Sequence, residues 1–207
     1  MKTGSKLSKK INRKARISRY VIYKETLVDF KEQFWSFLGA FIGIGLIALL
    51  QSYYLPKMEN ALLIGSFGAS SVLIYGAIES PLAQPRNFIG GQLLSAFIGV
   101  TVYKLMPDLI WLSAPLAVAT SIVVMQMTKT LHPPGGATAL IAVIGTAKIK
   151  SLGYFYVVSP VLAGTVILFV TALIFNNMTK HRSYPVNGRF LRVIRGKVGR
   201  RKRSFNT

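Results

Sequence analysis

Six stretches of this chain carry no charged residue: 34–54, 61–78, 88–103, 109–128, 133–147 and 151–179. They are 21, 18, 16, 20, 15 and 29 residues long. A bilayer core about 30 Å thick is crossed by roughly 20 apolar residues at 1.5 Å rise per residue. The first, fourth and last stretches reach that length, the second borders on it, and the third and fifth fall short. So many uncharged runs in 207 residues define an all-α, polytopic membrane protein rather than a soluble domain.

The formal net charge of +20 fits this reading once the charges are located. Ten of the 26 Lys and Arg residues lie within 2–31 and ten within 180–203. Only Lys57, Arg86, Lys104, Lys129, Lys148 and Lys150 fall between, with the acids Glu59, Glu79 and Asp108. The chain therefore divides into a basic tail (1–33), an apolar body (34–179) and a second basic tail (180–207). Lys and Arg flanking membrane spans stay on the cytoplasmic side, so both tails are expected there and the number of crossings is even. Six full spans satisfy this, and so do four spans plus two re-entrant segments. Lys148 and Lys150 dissent mildly. The expected host is the plasma (inner) membrane, with an organelle envelope as the alternative. The long basic region before the first apolar run does not resemble a cleaved signal peptide.

Several chemistries are not expected. The chain has no cysteine and two histidines, and its body shows no carboxylate pair or nucleophile–base set. An enzyme, a metal site and a cofactor are therefore not predicted. Cation or proton passage is disfavoured, because Glu79 and Asp108 both lie at the edges of runs.

The six segments split into two triplets. Their middle members align: "GSFGASSVLIYG" (65–76) resembles "HPPGGATALIAVIG" (132–145), with Gly136-Ala137 standing 68 residues after Gly68-Ala69. A second copy of three spans inserts upside down. Inverted repeats place substrate near the midplane, at Gly- or Pro-interrupted segments. The second middle segment breaks at Pro133-Pro134, residues that suit the first positions of a helix. A helix start is predicted there, capped by Leu131 or His132. Its first free N–H groups would belong to Gly135, Gly136 and Ala137, with the Thr138 hydroxyl beyond, and a helix N-terminus attracts anions. Ser66, Gly68 and Ser70 supply small and hydroxyl residues to the first middle segment. The break lies either inside protein at membrane depth or in a surface loop, and the spacing leaves both open.

These motifs resemble the HPP family of integral membrane proteins. The tripeptide His132-Pro133-Pro134 carries the family's name, and the likeness extends through "LLIGSFGAS" (62–70), "SPLAQPRNFIGGQLLSAFIG" (80–99) and "TLHPPGGATALIAVIG" (130–145). Gly135 departs from the pattern, where alanine is more usual. The resemblance implies a membrane-spanning fold. Some family members are described as nitrite transporters, so it also implies passage of a small anion.

The candidate substrate-binding residues are thus His132, Gly135, Gly136, Ala137, Thr138, Ser66, Gly68, Ser70, Arg86 and Asn87. Each has a competing structural role. His132 suits a capping turn. Arg86 in "SPLAQPRN" attracts an anion, snorkels, or bonds carbonyls at a Pro-bent corner. Asn87, Gln92 and Gln126 suit helix-joining hydrogen bonds. Gly39/Gly43 and Gly91/Ser95/Gly99 form small-residue stripes for close packing, within or between subunits, and a homo-oligomer is one expected partner. The others are a small anion and anionic lipid headgroups, which the tails would meet; nucleic-acid binding is not expected. The function predicted is a transporter or channel for a small inorganic anion, nitrite first. The alternative is a non-transporting scaffold whose tails bind lipid or partners.

Overall fold

The computed structural model describes residues 30–54, 64–179 and 182–186. Most of both basic tails, and the start of the first middle segment, lie outside the described residues. The chain forms two compact units, Met1–Phe34 and Trp35–Thr207. Of the first, only the opening of helix α1 (Phe30–Tyr54) is described. Every contact below lies in the second.

The described residues are helical. After α1 come α2 (Gly65–Ser71), continuing into a π-helical turn over Val72–Gly76, and a 3₁₀ turn over Pro81–Ala83. Helices α3 (Pro85–Leu105), α4 (Ile110–Met127), α5 (Pro133–Ile144) and the short α6 (Ala147–Ser151) follow. A second π-helical turn, Val157–Leu162, leads into α7 (Ala163–Phe175). It is kinked where Ser159 takes extended angles (φ −137°, ψ 120°) before Pro160.

Four helical stretches are long and apolar enough to cross a bilayer: Phe30–Tyr53, Pro85–Leu105, Ile110–Met127 and Val157–Phe175. The third apolar run, only 16 residues without a charge, extends to a 21-residue helix. Pro85 at the first turn moves its start back to include Arg86 and Asn87, and Lys104 joins its last turn, where a cation favours the helix dipole. The two middle segments stay short. Helix α5 has 12 residues, and α2 with its π turn spans 7 plus 5, so each covers only about 18 Å.

Small residues allow the helices to approach. On α3, a Cβ at Gly99 would stand 2.5 Å from the Ala139 carbonyl oxygen, and one at Gly91 2.5 Å from His132 Cβ. The Gly91/Ser95/Gly99 stripe therefore seats α5 within the subunit. Gly39 and Gly43 of α1 receive Tyr75: a Cβ at Gly43 would lie 2.5 Å from the Tyr75 hydroxyl, which bonds Thr171 Oγ1 at 2.5 Å.

Trp35 on α1 and Phe175 at the end of α7 meet at one end of the bundle, their rings 6.3 Å apart. The π turn also ends there. Its Tyr75 carbonyl accepts from Ser36 Oγ (2.7 Å) and Arg182 (2.8 Å), and its Ile74 carbonyl from Asn176 Nδ2 (2.6 Å). Arg182, which the sequence assigns to a basic tail, is 4 % exposed. A helix C-terminus needs donors, and a guanidinium has five. Tyr184 is buried beside it and donates to the Ala83 carbonyl at 2.7 Å. Burial, then the neighbouring Tyr75, pushes its phenol up, so it stays protonated and able to donate. At the other end Lys104 and Lys150 rest over the Tyr154 and Tyr103 rings at 5.6 and 5.3 Å.

Replacing Gly99 by Val is expected to destabilise the protein by about 1–3 kcal/mol, because the backbone of α5 cannot move aside. Gly45→Ala, where nothing lies within 4 Å of the new Cβ, should not. Thermal unfolding of the two variants in detergent checks this, and equal melting would contradict the packing.

Candidate functional site

Helix α5 starts as its paired prolines dictate: Pro133 occupies the first turn and His132, extended at φ −138° and ψ 103°, is the N-cap. The imidazole turns inward and is fully buried. Its Nδ1 lies 2.9 Å from the Leu82 carbonyl, which only accepts, so Nδ1 carries the proton. In the neutral ring Nε2 is then an acceptor, and Ser70 Oγ donates to it at 2.8 Å. Ser70 Oγ accepts in turn from Gln92 Nε2 at 2.8 Å. Gln92 Oε1 accepts from Thr138 Oγ1, and the Thr138 carbonyl accepts from Tyr156 Oη at 3.1 Å. Phe88 lies against the imidazole with ring centroids 5.2 Å apart.

This chain of hydrogen bonds ties both short helices to α3 and to the 3₁₀ turn. Ser70, Gln92, His132, Thr138 and Tyr156 are all 0 % exposed. The side chains carry no formal charge in this tautomer. Buried polar groups that satisfy one another fix a unique arrangement, because any alternative leaves some of them unpaired.

The structure separates the other sequence candidates. The Gly135 N–H is not free: it donates to the His132 carbonyl at 2.8 Å. A Cβ at Gly135 would lie 2.7 Å from Ser95 Oγ, so glycine stands here for closeness to α3. Gly136 and Ala137 instead line an apolar groove of about 550 Å³ between α4 and α5. The space beside these two residues is therefore greasy. Gly68 is exposed on α2 with open space around it. Ser66 is buried with no hydrogen-bond partner for its hydroxyl, like Ser71 and Thr165. Arg86 donates to the Thr128 carbonyl and Asn87 to the Leu131 carbonyl, both at 2.8 Å. They brace the turn before His132.

Gln92 and Tyr156 complete the network. The sequence presented Gln92 only as a helix-joining residue, and Tyr156 was not among the candidate residues. The available signal was an amide side chain amid the small residues of α3, one helical turn past Phe88.

The fold is that of an integral membrane protein with four helices long and apolar enough to span a bilayer and two half-length ones around a buried polar junction. The sequence matches the family described as "HPP, transmembrane region" over residues 25–185, and the chain belongs to this HPP transmembrane family. Two curated proteins of Dictyostelium discoideum, each described as a transmembrane protein, are 44 % and 43 % identical over 164 residues. The matches cover 76 % of this chain and 51 % and 56 % of those proteins, so the chain spans about half the length of these relatives. No solved structure matches the chain significantly.

Ser70→Ala strands His132 Nε2 and a Gln92 donor together, so it is expected to cost about 1–3 kcal/mol. Ser113→Ala removes a buried hydroxyl with no hydrogen-bond partner among the described residues and should be neutral or stabilising. Denaturant titration in mixed micelles checks the contrast, which a brace at Ser70 requires.

Proposed function

We propose that this HPP protein passes a small inorganic anion across its membrane, with nitrite as the foremost substrate. One observation carries the reading. An uncharged polar chain is buried where two half-length helices meet inside an apolar body. Polar groups buried in such a body must pair with one another or line a polar route. The donors of Ser70, Gln92 and Thr138, spent on one another at rest, suit transient coordination of a monovalent anion. A neutral site of this kind holds such an ion weakly enough to release it. The unpartnered hydroxyls of Ser66, Ser71 and Thr165 extend the same chemistry.

In this reading the halves are inverted copies, and rocking of one against the other exposes the junction to either side. Both tails face the cytoplasm of a plasma membrane and draw anions toward it. A homo-oligomer walls off the pathway. The second reading is a non-transporting scaffold. It is favoured by the completeness of the network: among the described residues, His132 lines neither the apolar groove between α4 and α5 nor the polar cleft beside Arg86.

The test is nitrite uptake by liposomes holding the purified protein, normalised to folded material. Uptake is expected, with His132→Ala lowering it about tenfold or more, which corresponds to roughly 1.4 kcal/mol. Removing 187–207 should change it far less. Folded protein that moves no small anion removes the proposal, and the scaffold reading then stands.

A further inference from the structure

Two features of the His132 end of the bundle are not used by anion passage. The first is a polar cleft of about 320 Å³, lined by Glu79, Gln84, Arg86, Asn87 and Lys129 among others. Two cations face one acid there. The second is the 550 Å³ groove, lined by Val118, Ile122 and Met125 on α4 and by Pro133, Ala137 and Leu140 on α5. Those positions recur every three or four residues, so on each helix they form one stripe about two turns long. Among the described residues the groove has one polar side chain, Gln126, close to the turn that ends α4. Gly136 keeps it open: a Cβ there would meet only Val118 Cγ1, at 3.8 Å.

The cleft and the groove share one wall, the turn from Thr128 to Leu131. Lys129 lines the cleft and Leu131 the groove. The turn is held by Arg86 on the Thr128 carbonyl and Asn87 on the Leu131 carbonyl. It closes α4 as a Schellman motif, with Thr130 N–H on the Met125 carbonyl (2.8 Å) and Lys129 N–H on that of Gln126 (3.2 Å). Lys129 therefore sits at φ 56°, the left-handed position that glycine fills without strain. A lysine here places an exposed ammonium at the mouth of the cleft despite a steric cost.

We infer that the cleft and groove together bind one anionic phospholipid, its phosphate at Arg86 and Lys129 and an acyl chain along the α4–α5 groove. Charge complementarity selects the headgroup. The groove, dry and open at the side of a spanning helix, selects a hydrocarbon chain. A basic pocket between helices at a membrane surface suits such a headgroup, at about 1 kcal/mol per cation.

Native mass spectrometry of the full chain, titrated with dioleoylphosphatidylglycerol or dioleoylphosphatidylcholine, tests this. The phosphatidylglycerol is expected to be retained preferentially. Lys129→Gln should lower its retention about fivefold and leave phosphatidylcholine unchanged. Ile122→Trp fills the groove and should lower retention of both. Val123→Trp, on an exposed position of α4 outside the groove, should lower neither. Equal retention of the two lipids, or full retention by Lys129→Gln or Ile122→Trp, overturns the inference. So does a change of oligomeric mass in Ile122→Trp with unchanged lipid, which would make the groove a contact between copies. Inorganic phosphate that displaces phosphatidylglycerol without regard to Ile122→Trp would mark a free-phosphate site and equally overturn it.

Discussion

Hydrocarbon contains no water to pair with a broken backbone, and the rest of this structure follows from that constraint. Two helices stop after about 18 Å, and each stop frees carbonyls that need donors. The donors come from far along the chain. Arg182, Ser36 and Asn176 serve the carbonyls that end the π turn. Tyr184 serves Ala83 and His132 serves Leu82 in the 3₁₀ turn. Arg86 and Asn87 serve the turn before α5. The polar residues that stand out against the apolar background are mostly the price of these breaks.

The same constraint explains the placement of small residues. Gln92 of α3 can join Ser70 on α2 to Thr138 on α5 only if α3 packs closely against α5, which Gly91, Ser95 and Gly99 permit. Gly135 completes the approach from the other side, against Ser95 and the Gly91 carbonyl. The adjacent Gly136 has the opposite effect, leaving room beside α4 rather than filling it. Neighbouring glycines in one motif thus serve a tight contact and an open groove, which divides the motif between a braced polar junction and a greasy surface.

Much of this was legible in the chain. The lengths of the uncharged runs marked the first, fourth and last as spanning and the fifth as short, because crossing hydrocarbon is a matter of length and hydropathy. They misplaced the third run, which gains its length from Pro85, Arg86, Asn87 and Lys104 beyond its uncharged core, and left the second at the border. Pro133-Pro134 marked the start of α5, and the structure places its cap at His132. The packing role of Gly91 and Gly99 followed from their four-residue spacing pattern with Ser95. Ser70, His132 and Thr138 stood among the candidate residues and Gln92 as a helix-joining one, but their union in one network was not legible. Ser70, Gln92, His132 and Thr138 have no common spacing, and a serine in one apolar helix looks like any other until the helices are packed. Arg86 looked equally suited to an anion or to carbonyls and Asn87 suited to joining helices, since the choice depends on which atoms a turn 42 to 44 residues later brings near.

By itself, the sequence determined the class of environment, three of the four spanning-length helices and the break at Pro133-Pro134, because these depend on local composition and on proline's missing N–H. Only the tertiary structure decided which donors answer each break, that Arg182 packs inward rather than trailing in a tail, and that Gly136 faces a groove while Gly135 faces a helix. Those outcomes depend on distances between residues far apart in the chain, and one-dimensional order holds no such distances.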